Sequence, residues 1–278
     1  MNQKKNILYV KDNFNQTFKE SLRPHKKNII ENVFITSSLK KLGRVKLDKS
    51  TKLIVIHEVI RELIKNHGTI FVPTGNINLC NTNIIFDLFN TPSNKMGAFS
   101  EYVRKLEPSV RSLHPYWSVT AVGNNSHLLS NVSKHAYGYG SPWSIMLDLD
   151  TTQVSLGIHP SDAVTLVHHI ETIMGVPYRY TKEFLHKIKI KDLVFEDYFY
   201  LSVFYLNSGI EKKKNLNKHF FEELEKNNLL NYSIHSSGLE IWSFKMRDFF
   251  KIAKNFFIND IYNYLEKPPP LNLRVYSQ

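Results

Sequence analysis

Residues 32–73 read NVFITSSLKKLGRVKLDKSTKLIVIHEVIRELIKNHGTIFVP. The run NVFIT at 32–36 is β-prone and ends in the polar turn Thr36-Ser37-Ser38. Over 51–67, Leu53, Ile54, Ile56, Val59, Ile60, Leu63 and Ile64 recur at largely helical spacing, and Gly68 is a C-terminal stop. Gly68-Thr69-Ile70-Phe71-Val72-Pro73 reads as a second strand closed by its proline. Strand, helix, strand is the unit of an α/β fold. The same alternation returns downstream, with a strand predicted at Gln153–Ile158 and a helix from Thr165 to about Met174, with Ser161 or Asp162 as a candidate cap. Beyond residue 181 the sequence turns aromatic and basic. Helices are predicted at 217–228 and 245–265, and neither is assigned a place on a sheet. Trp242, Phe244, Phe249 and Phe250 are expected either in a helix core or on a dimer surface, the core being the commoner place for helical aromatics.

The chain has 278 residues, of which 42% are hydrophobic and 22% charged. That length buries a full core and excludes a disulfide mini-protein, and the composition excludes disorder. No apolar run approaches the roughly 18 residues needed to span a bilayer, and no apolar stretch of a signal peptide follows the N-terminal lysines. A cytoplasmic protein is expected. The one cysteine, Cys80, has no internal partner for a disulfide and excludes cysteine metal clusters. With neither repeats nor a Gly/Ser linker, residues 1–278 are expected to form one folded unit. The net charge is +11, and residues 1–50 hold 12 Lys or Arg against 4 Asp or Glu. Such a field attracts phosphates, nucleotides or nucleic acid, although a compositional bias toward Lys, Asn and Ile would also produce it.

Candidate chemistry is concentrated in 97–180. In Thr165-Leu166-Val167-His168-His169-Ile170-Glu171, spacing three puts His168 and Glu171 on one helix face, where a carboxylate orients an imidazole for work as a general base; Thr165 falls on that face too. His169 is turned about 100° away and lacks that carboxylate. The adjacent histidines do not have the i, i+4 spacing of a helical metal pair, and there is no Gly-x-Gly-x-x-Gly or Gly-Lys-Ser/Thr phosphate loop. No metal is expected.

Six ordered blocks carry a family resemblance: Ser37-Ser38-Leu39 to Gly43, Gly68-Thr69 to Thr74, Gly97 to Glu101 with Arg104, Arg111-Ser112-x-His114-Pro115 to Ser118, Gly140-Ser141-Pro142, and Thr165-x-x-His168-x-x-Glu171. Over residues 30–180 the chain resembles the aminoglycoside 3-N-acetyltransferase family; 1–29 and 181–278 do not match convincingly. The resemblance implies a single α/β/α sandwich distinct from the common GNAT acetyltransferase fold, acetyl-coenzyme A as donor, and an amine of an amino sugar as acceptor. It makes His168 the general base, with Glu171 orienting it and Thr165 near the reacting groups. It places coenzyme A at Ser37 and Ser38, which serve equally as helix caps, and makes Arg111 and Ser112 cofactor or active-site walls. His114 is either a substrate contact or a structural histidine. Ser141 lines the thioester site or merely forms a turn. A thioester is already activated, so direct attack in a ternary complex suffices and Cys80 is not the expected nucleophile.

The acceptor is less determined. Aminoglycosides are polycations, whereas this chain is basic, so the charge favours a nucleotide-linked amino sugar of glycan biosynthesis, with an aminoglycoside as the alternative. A nucleic-acid-binding protein, built on segments such as Glu211-Lys212-Lys213-Lys214, and a non-catalytic coenzyme A-binding protein are the rivals from other classes. The partner expected is a small-molecule amine, with no nucleic acid or membrane, acting on a monomer or homodimer.

Overall fold

The strand expected at 32–36 is the centre of the molecule. In the computed structural model, which describes residues 2–27, 29, 31–65, 67–205, 210–213 and 217–269, the first half of the chain contains α1 (Asn2–Leu22), β1 (Asn32–Ser37), α2 (Lys49–Leu63), β2 (Thr69–Pro73), β3 (Phe86–Asp87), α3 (Ala98–Arg104), β4 (Val110–Arg111) and β5 (Val119–Gly123). The second half contains α4 (Pro142–Asp148), β6 (Thr152–Leu156), α5 (Leu166–Met174), β7 (Arg179–Ile190), β8 (Leu193–Phe204), α6 (Lys218–Lys226), β9 (Asn231–Ile234), β10 (Glu240–Lys245) and α7 (Met246–Asn259).

Seven strands form the main sheet in the order β4-β5-β2-β1-β6-β10-β9. The parallel core is β2-β1-β6, in which Asn32 to Phe34 pair with Thr69 to Phe71 and Val33 to Ser37 pair with Thr152 to Leu156. Strands with both faces covered read as continuous apolar runs, and Val33, Phe34, Ile35, Ile70, Phe71 and Val72 are all buried. Burying each such side chain contributes about 1.5–3 kcal/mol relative to exposure. Alternation sends Val33, Ile35, Ile70 and Val72 to one face, against Phe18 of α1, Ile56 of α2 and Phe99 of α3. Phe34 and Phe71 face the opposite side with Met146 of α4, Ile170 of α5, Phe220 of α6 and Phe249 of α7. The result is the expected three-layer α/β/α sandwich.

Several expectations are corrected at the edges. Residues 179–204, not assigned to a sheet by sequence, form the long β7-β8 hairpin, which pairs in parallel with β3 into a second, three-stranded sheet. The helix predicted at 245–265 is the shorter α7, which stops at Asn259 and gives way to turns over 261–264, and residues 240–245 before it form β10. Trp242 and Phe244 therefore pack from a strand and Phe249 from a helix, all three buried in the core, with Phe250 half-buried against it. The cap expected at Ser161 or Asp162 lies in a 3-10 turn, and α5 starts after Thr165. Helix α1, absent from the sequence reading, is held by Phe14, Phe18 and Leu22 at spacing four. No helix among the described residues is long and apolar enough to cross a membrane.

The turn after α1 is pinned by His25. Its Nε2 lies 2.8 Å from Ser233 Oγ and its Nδ1 2.7 Å from Ser243 Oγ, so one buried ring joins the turn to β9 and β10. Ser233 already donates to the Ser21 carbonyl, so it accepts from Nε2–H, and Ser243 donates to Nδ1. Burial pushes His25, His114 and His169 down from 6.5 to about 4. The unfolded chain takes up these protons before the folded one, so stability present above pH 6.5 is lost as pH falls from 6.5 toward 4. Each histidine accounts for about 3 kcal/mol when fully titrated. The urea midpoint is expected to fall between pH 7 and pH 5. His25→Gln, which keeps polar groups at the site but does not titrate, is expected to show a shallower slope; an unchanged slope assigns the effect elsewhere.

Candidate active site

The parallel strands β1, β2 and β6 end together at Ser37, Pro73 and Leu156, and the antiparallel β5 and β10 begin at that same edge. From β1 the chain passes through α2 to β2 on one side, whereas β6 lies on the other side of β1. Ligands of open α/β sheets bind in the crevice that such a reversal opens at the carboxyl ends of the strands. Here it is a cleft of about 700 Å³, bounded by Ser37 and Ser38 after β1, Ile158 after β6, and Gly97 at the start of α3. Main chain packs closely around it. A Cβ on Gly97 (φ +92°), which lines the cleft, would lie 2.5 Å from the Ser37 carbonyl oxygen, and one on Gly157 (φ +70°), just after β6, 2.3 Å from that of Ser38. The Ser37 hydroxyl is buried without a hydrogen-bond partner, and Ser38 makes no side-chain capping bond to the 3-10 turn that follows it. Lys40, Lys49, Lys52 and Lys95 also line the cleft, and among the described residues none of them is in a salt bridge.

The loop from β6 leads past Ile158 to α5. His168 Nδ1 lies 2.7 Å from Glu171 Oε2, as spacing three requires; the imidazole is 30% exposed and the carboxylate is wholly buried. Burial pushes the Glu171 carboxyl up, but the His168 hydrogen bond, the His168 charge and the Arg179 guanidinium together outweigh it and hold the group below its ordinary value. An ionised carboxylate only accepts, so His168 Nδ1 carries the proton in that bond, and in the neutral ring the lone pair is on Nε2. Such an imidazole is set to accept a proton from a nucleophile. Thr165 sits half-buried immediately before the helix, and its carbonyl accepts from the His168 N–H at 3.0 Å. The Tyr137 ring meets His168 edge-on, with centroids 5.7 Å apart. His169 points the other way: it is buried, and its Nδ1 accepts from the Gly138 N–H at 3.1 Å, holding the loop before α4.

Four residues expected in the cofactor and substrate walls are turned inward. Arg111 donates through Nε to Ser118 Oγ at 2.9 Å, through Nη1 to the Thr91 carbonyl at 2.6 Å, and through Nη2 to the Thr74 carbonyl at 2.5 Å, so each of its nitrogens is engaged within the protein and none is offered to a phosphate. Ser112 Oγ accepts from the Val119 N–H at 2.8 Å. His114 is buried, accepts at Nδ1 from Trp117 N–H at 3.1 Å, and packs against Tyr116 and Phe199. Ser141 Oγ donates to the Gly138 carbonyl at 2.7 Å. Their blocks shape the loops at the functional edge, and their side chains act on the backbone of those loops. Cys80 is half-buried, and burial pushes its thiol up to about 11, far from a thiolate at neutral pH. Among the described residues, no group of three or more His, Cys, Asp or Glu has the arrangement of a metal site.

Arg179 was missed by sequence reasoning. It stands eight positions beyond Glu171, in a stretch whose strand assignment was itself unread, and no local pattern marks it. Tyr137 was missed because it comes from a separate loop that only the fold brings to the edge, and the lysines of residues 1–50 were read as contacts for an acceptor's phosphates, whereas the fold sets Lys40 and Lys49 with Lys52 of α2 and Lys95 around one cleft.

A family profile described as aminoglycoside 3-N-acetyltransferase matches residues 34–258. Solved structures with the same fold include the aminoglycoside acetyltransferase AAC(3)-Xa, with 16% identity, a TM-score of 0.74, and coverage of 92% of this chain and 96% of that one. The YokD protein from Bacillus subtilis has 18% identity and a TM-score of 0.72, covering 89% of this chain and 100% of that one. An AAC-IIIb binary complex with CoASH has 14% identity and a TM-score of 0.73, covering 92% and 98%. A search of curated proteins finds no match.

The main chain in the cleft wall generates a stability prediction. Gly97→Ala combines a left-handed φ with a Cβ too close to the Ser37 carbonyl, and is expected to cost about 1–3 kcal/mol in urea unfolding. Gly43→Ala, in the same cleft wall but with nothing within 4 Å of the added atom, is expected to leave the midpoint within experimental error.

Proposed function

Because the chain belongs to the aminoglycoside 3-N-acetyltransferase family, and is thus an N-acetyltransferase, we propose that His168 is the general base of an acetyl transfer from acetyl-coenzyme A to an amine of an aminoglycoside. The observation that carries this reading is the His168–Glu171 contact of 2.7 Å, with a wholly buried carboxylate and a part-exposed imidazole.

A protonated amine cannot attack a thioester. Nε2 of His168, with Nδ1–H held by Glu171, takes a proton from the amine as the new C–N bond forms; the C–S bond then breaks and the thiolate leaves, finally recovering a proton from the imidazolium. The overall change is acetyl for hydrogen on nitrogen and hydrogen for acetyl on sulfur. No acyl-enzyme is required, in keeping with the high thiol value of Cys80. Acetyl-coenzyme A supplies the activated acyl group. The cleft fits it: Leu39, Leu42 and Ile158 offer apolar wall to the pantetheine arm, the Ser37 hydroxyl, without a partner among the described residues, a hydrogen bond, and four lysines in no salt bridge among those residues the counter-charge for its phosphates.

The placement of those lysines bears on the acceptor. The basic excess of residues 1–50 suggested a nucleotide-linked amino sugar, yet two of its lysines, Lys40 and Lys49, line the proposed donor cleft together with Lys52. Donor phosphates therefore account for part of the charge that favoured a charged acceptor. With that argument weakened and the family standing as it does, an aminoglycoside is the better-supported acceptor.

Thiol release from acetyl-coenzyme A, with aminoglycosides and nucleotide-linked amino sugars offered side by side, tests the reading. Release is expected with aminoglycosides and is expected to fall roughly 10²–10⁴-fold in His168→Ala. Release with nucleotide sugars alone would return the acceptor to glycan chemistry, and silence with every amine would overturn the proposal. In an active enzyme, Lys40→Ala combined with Lys52→Ala is expected to raise KM for acetyl-coenzyme A about tenfold with kcat nearly unchanged, the mark of lost uniform binding.

A further inference from the structure

Arg179, the first residue of β7, reaches back from the second sheet to both members of the His168–Glu171 pair. Its Nε is 3.0 Å from Glu171 Oε2 and its Nη2 is 3.1 Å from His168 Nδ1. Nη1 donates to the Ser202 carbonyl of β8 at 3.0 Å, and the guanidinium lies over the Phe204 ring at 4.0 Å. The side chain is 8% exposed. The other titratable groups around the pair are Tyr137 from the loop before α4, Tyr178 beside Arg179, Lys212 after β8, and Tyr264 after α7. Lys212 stacks on the Phe204 ring at 3.7 Å, on the same aromatic support.

This arrangement gives His168 Nδ1 two suitors of opposite kind. The nitrogen cannot donate to Glu171 and accept from Arg179 at once. If it donates, at the observed 2.7 Å, Nε2 is free to take a proton from an amine. If it accepted from the guanidinium, the ring proton would move to Nε2 and the base would be blocked. Arg179 also forms an ion pair with Glu171, its Nε 3.0 Å from Oε2 without the alignment of a hydrogen bond, and an ionised carboxylate outcompetes a neutral ring nitrogen for a guanidinium charge.

We infer that Arg179 is a positioning residue that sets the proton state of His168 by sharing Glu171 with it, which makes the β7-β8 hairpin a working part of the site; this rests on the acetyl-transfer reading above. Glu171 alone would favour the imidazolium strongly, because a wholly buried anion beside a ring has few other ways to be compensated. The Arg179 charge supplies that compensation from the other side. The anion stays in place to orient Nδ1–H, while Nε2 is left free to accept a proton.

The test titrates His168 by NMR in the full-length protein labelled at histidine, with His168→Ala assigning the resonance, and sets it beside the pH profile of kcat/KM for thiol release. In Arg179→Gln the imidazole is expected to titrate about one pH unit higher than in the parent, and the acidic limb of the profile to move with it, while KM for acetyl-coenzyme A stays unchanged. Arg179→Lys keeps the charge and most of the packing, guards against a failure of the first variant to fold, and is expected to move the titration in the same direction by less. A titration that is unmoved or lowered in the folded variants overturns the inference. The NMR measurement needs no acceptor, so it remains decisive even if the parent acetylates nothing offered; in an active enzyme, an unmoved titration sinks the role of Arg179 and leaves the acetyl transfer standing.

Discussion

The pairing of β1 with β6 is the contact on which the rest of the molecule depends. It runs from Val33 to Ser37 against Thr152 to Leu156, and it joins residues more than a hundred positions apart. One strand ends in Ser37 and Ser38, the other leads through Ile158 to Thr165 and α5. The proposed donor cleft and the proposed base are therefore supported by neighbouring strands of one rigid sheet. Positioning of that kind suits a transfer that needs no covalent intermediate, since the protein has chiefly to hold two reactants in line.

The second organising element is a buried charge. A carboxylate with no exposure, such as Glu171, survives only with compensation. It finds it in His168 on the same helix and in Arg179, which the second sheet delivers. The hairpin's long register, from Arg179 paired with Phe204 to Ile190 paired with Leu193, fixes the arginine, and the aromatic ring beneath the guanidinium comes from the pairing strand. The smaller sheet thus has an electrostatic task as well as a packing one.

How much of this the amino-acid order reveals depends on how local the signal is. The β1-α2-β2 unit is legible because Val33 to Ile35 and Ile70 to Val72 are unbroken apolar runs around a helical repeat, and only the end residues differ. His168 and Glu171 are legible because a helix brings spacing three together without help from any other element. The β7-β8 hairpin is obscured because its outward positions mix Leu185 and Tyr198 with Lys187 and Glu196, while an inward position is a histidine, His186, so the alternation of a half-buried strand is blurred. In β10, Ile241, Trp242, Ser243 and Phe244 are all buried, which removes alternation altogether and lets the stretch merge with the helix beyond it. Arg111 and His114 are legible as unusual residues, but their direction is not: a buried arginine satisfied by carbonyl oxygens and one facing a phosphate have the same sequence.

The main chain in the cleft wall has a consequence for how the site can change. A side chain at Gly97, which lines the groove, is barred by the Ser37 carbonyl oxygen, so that part of its wall is backbone that substitution cannot alter without moving a strand. The width of the groove is another matter, since Leu39, Leu42 and Leu53 stand on its walls and can be exchanged for smaller or larger groups. Change in the shape of the groove is thereby channelled to its walls, and an effort to widen it would begin with those three leucines.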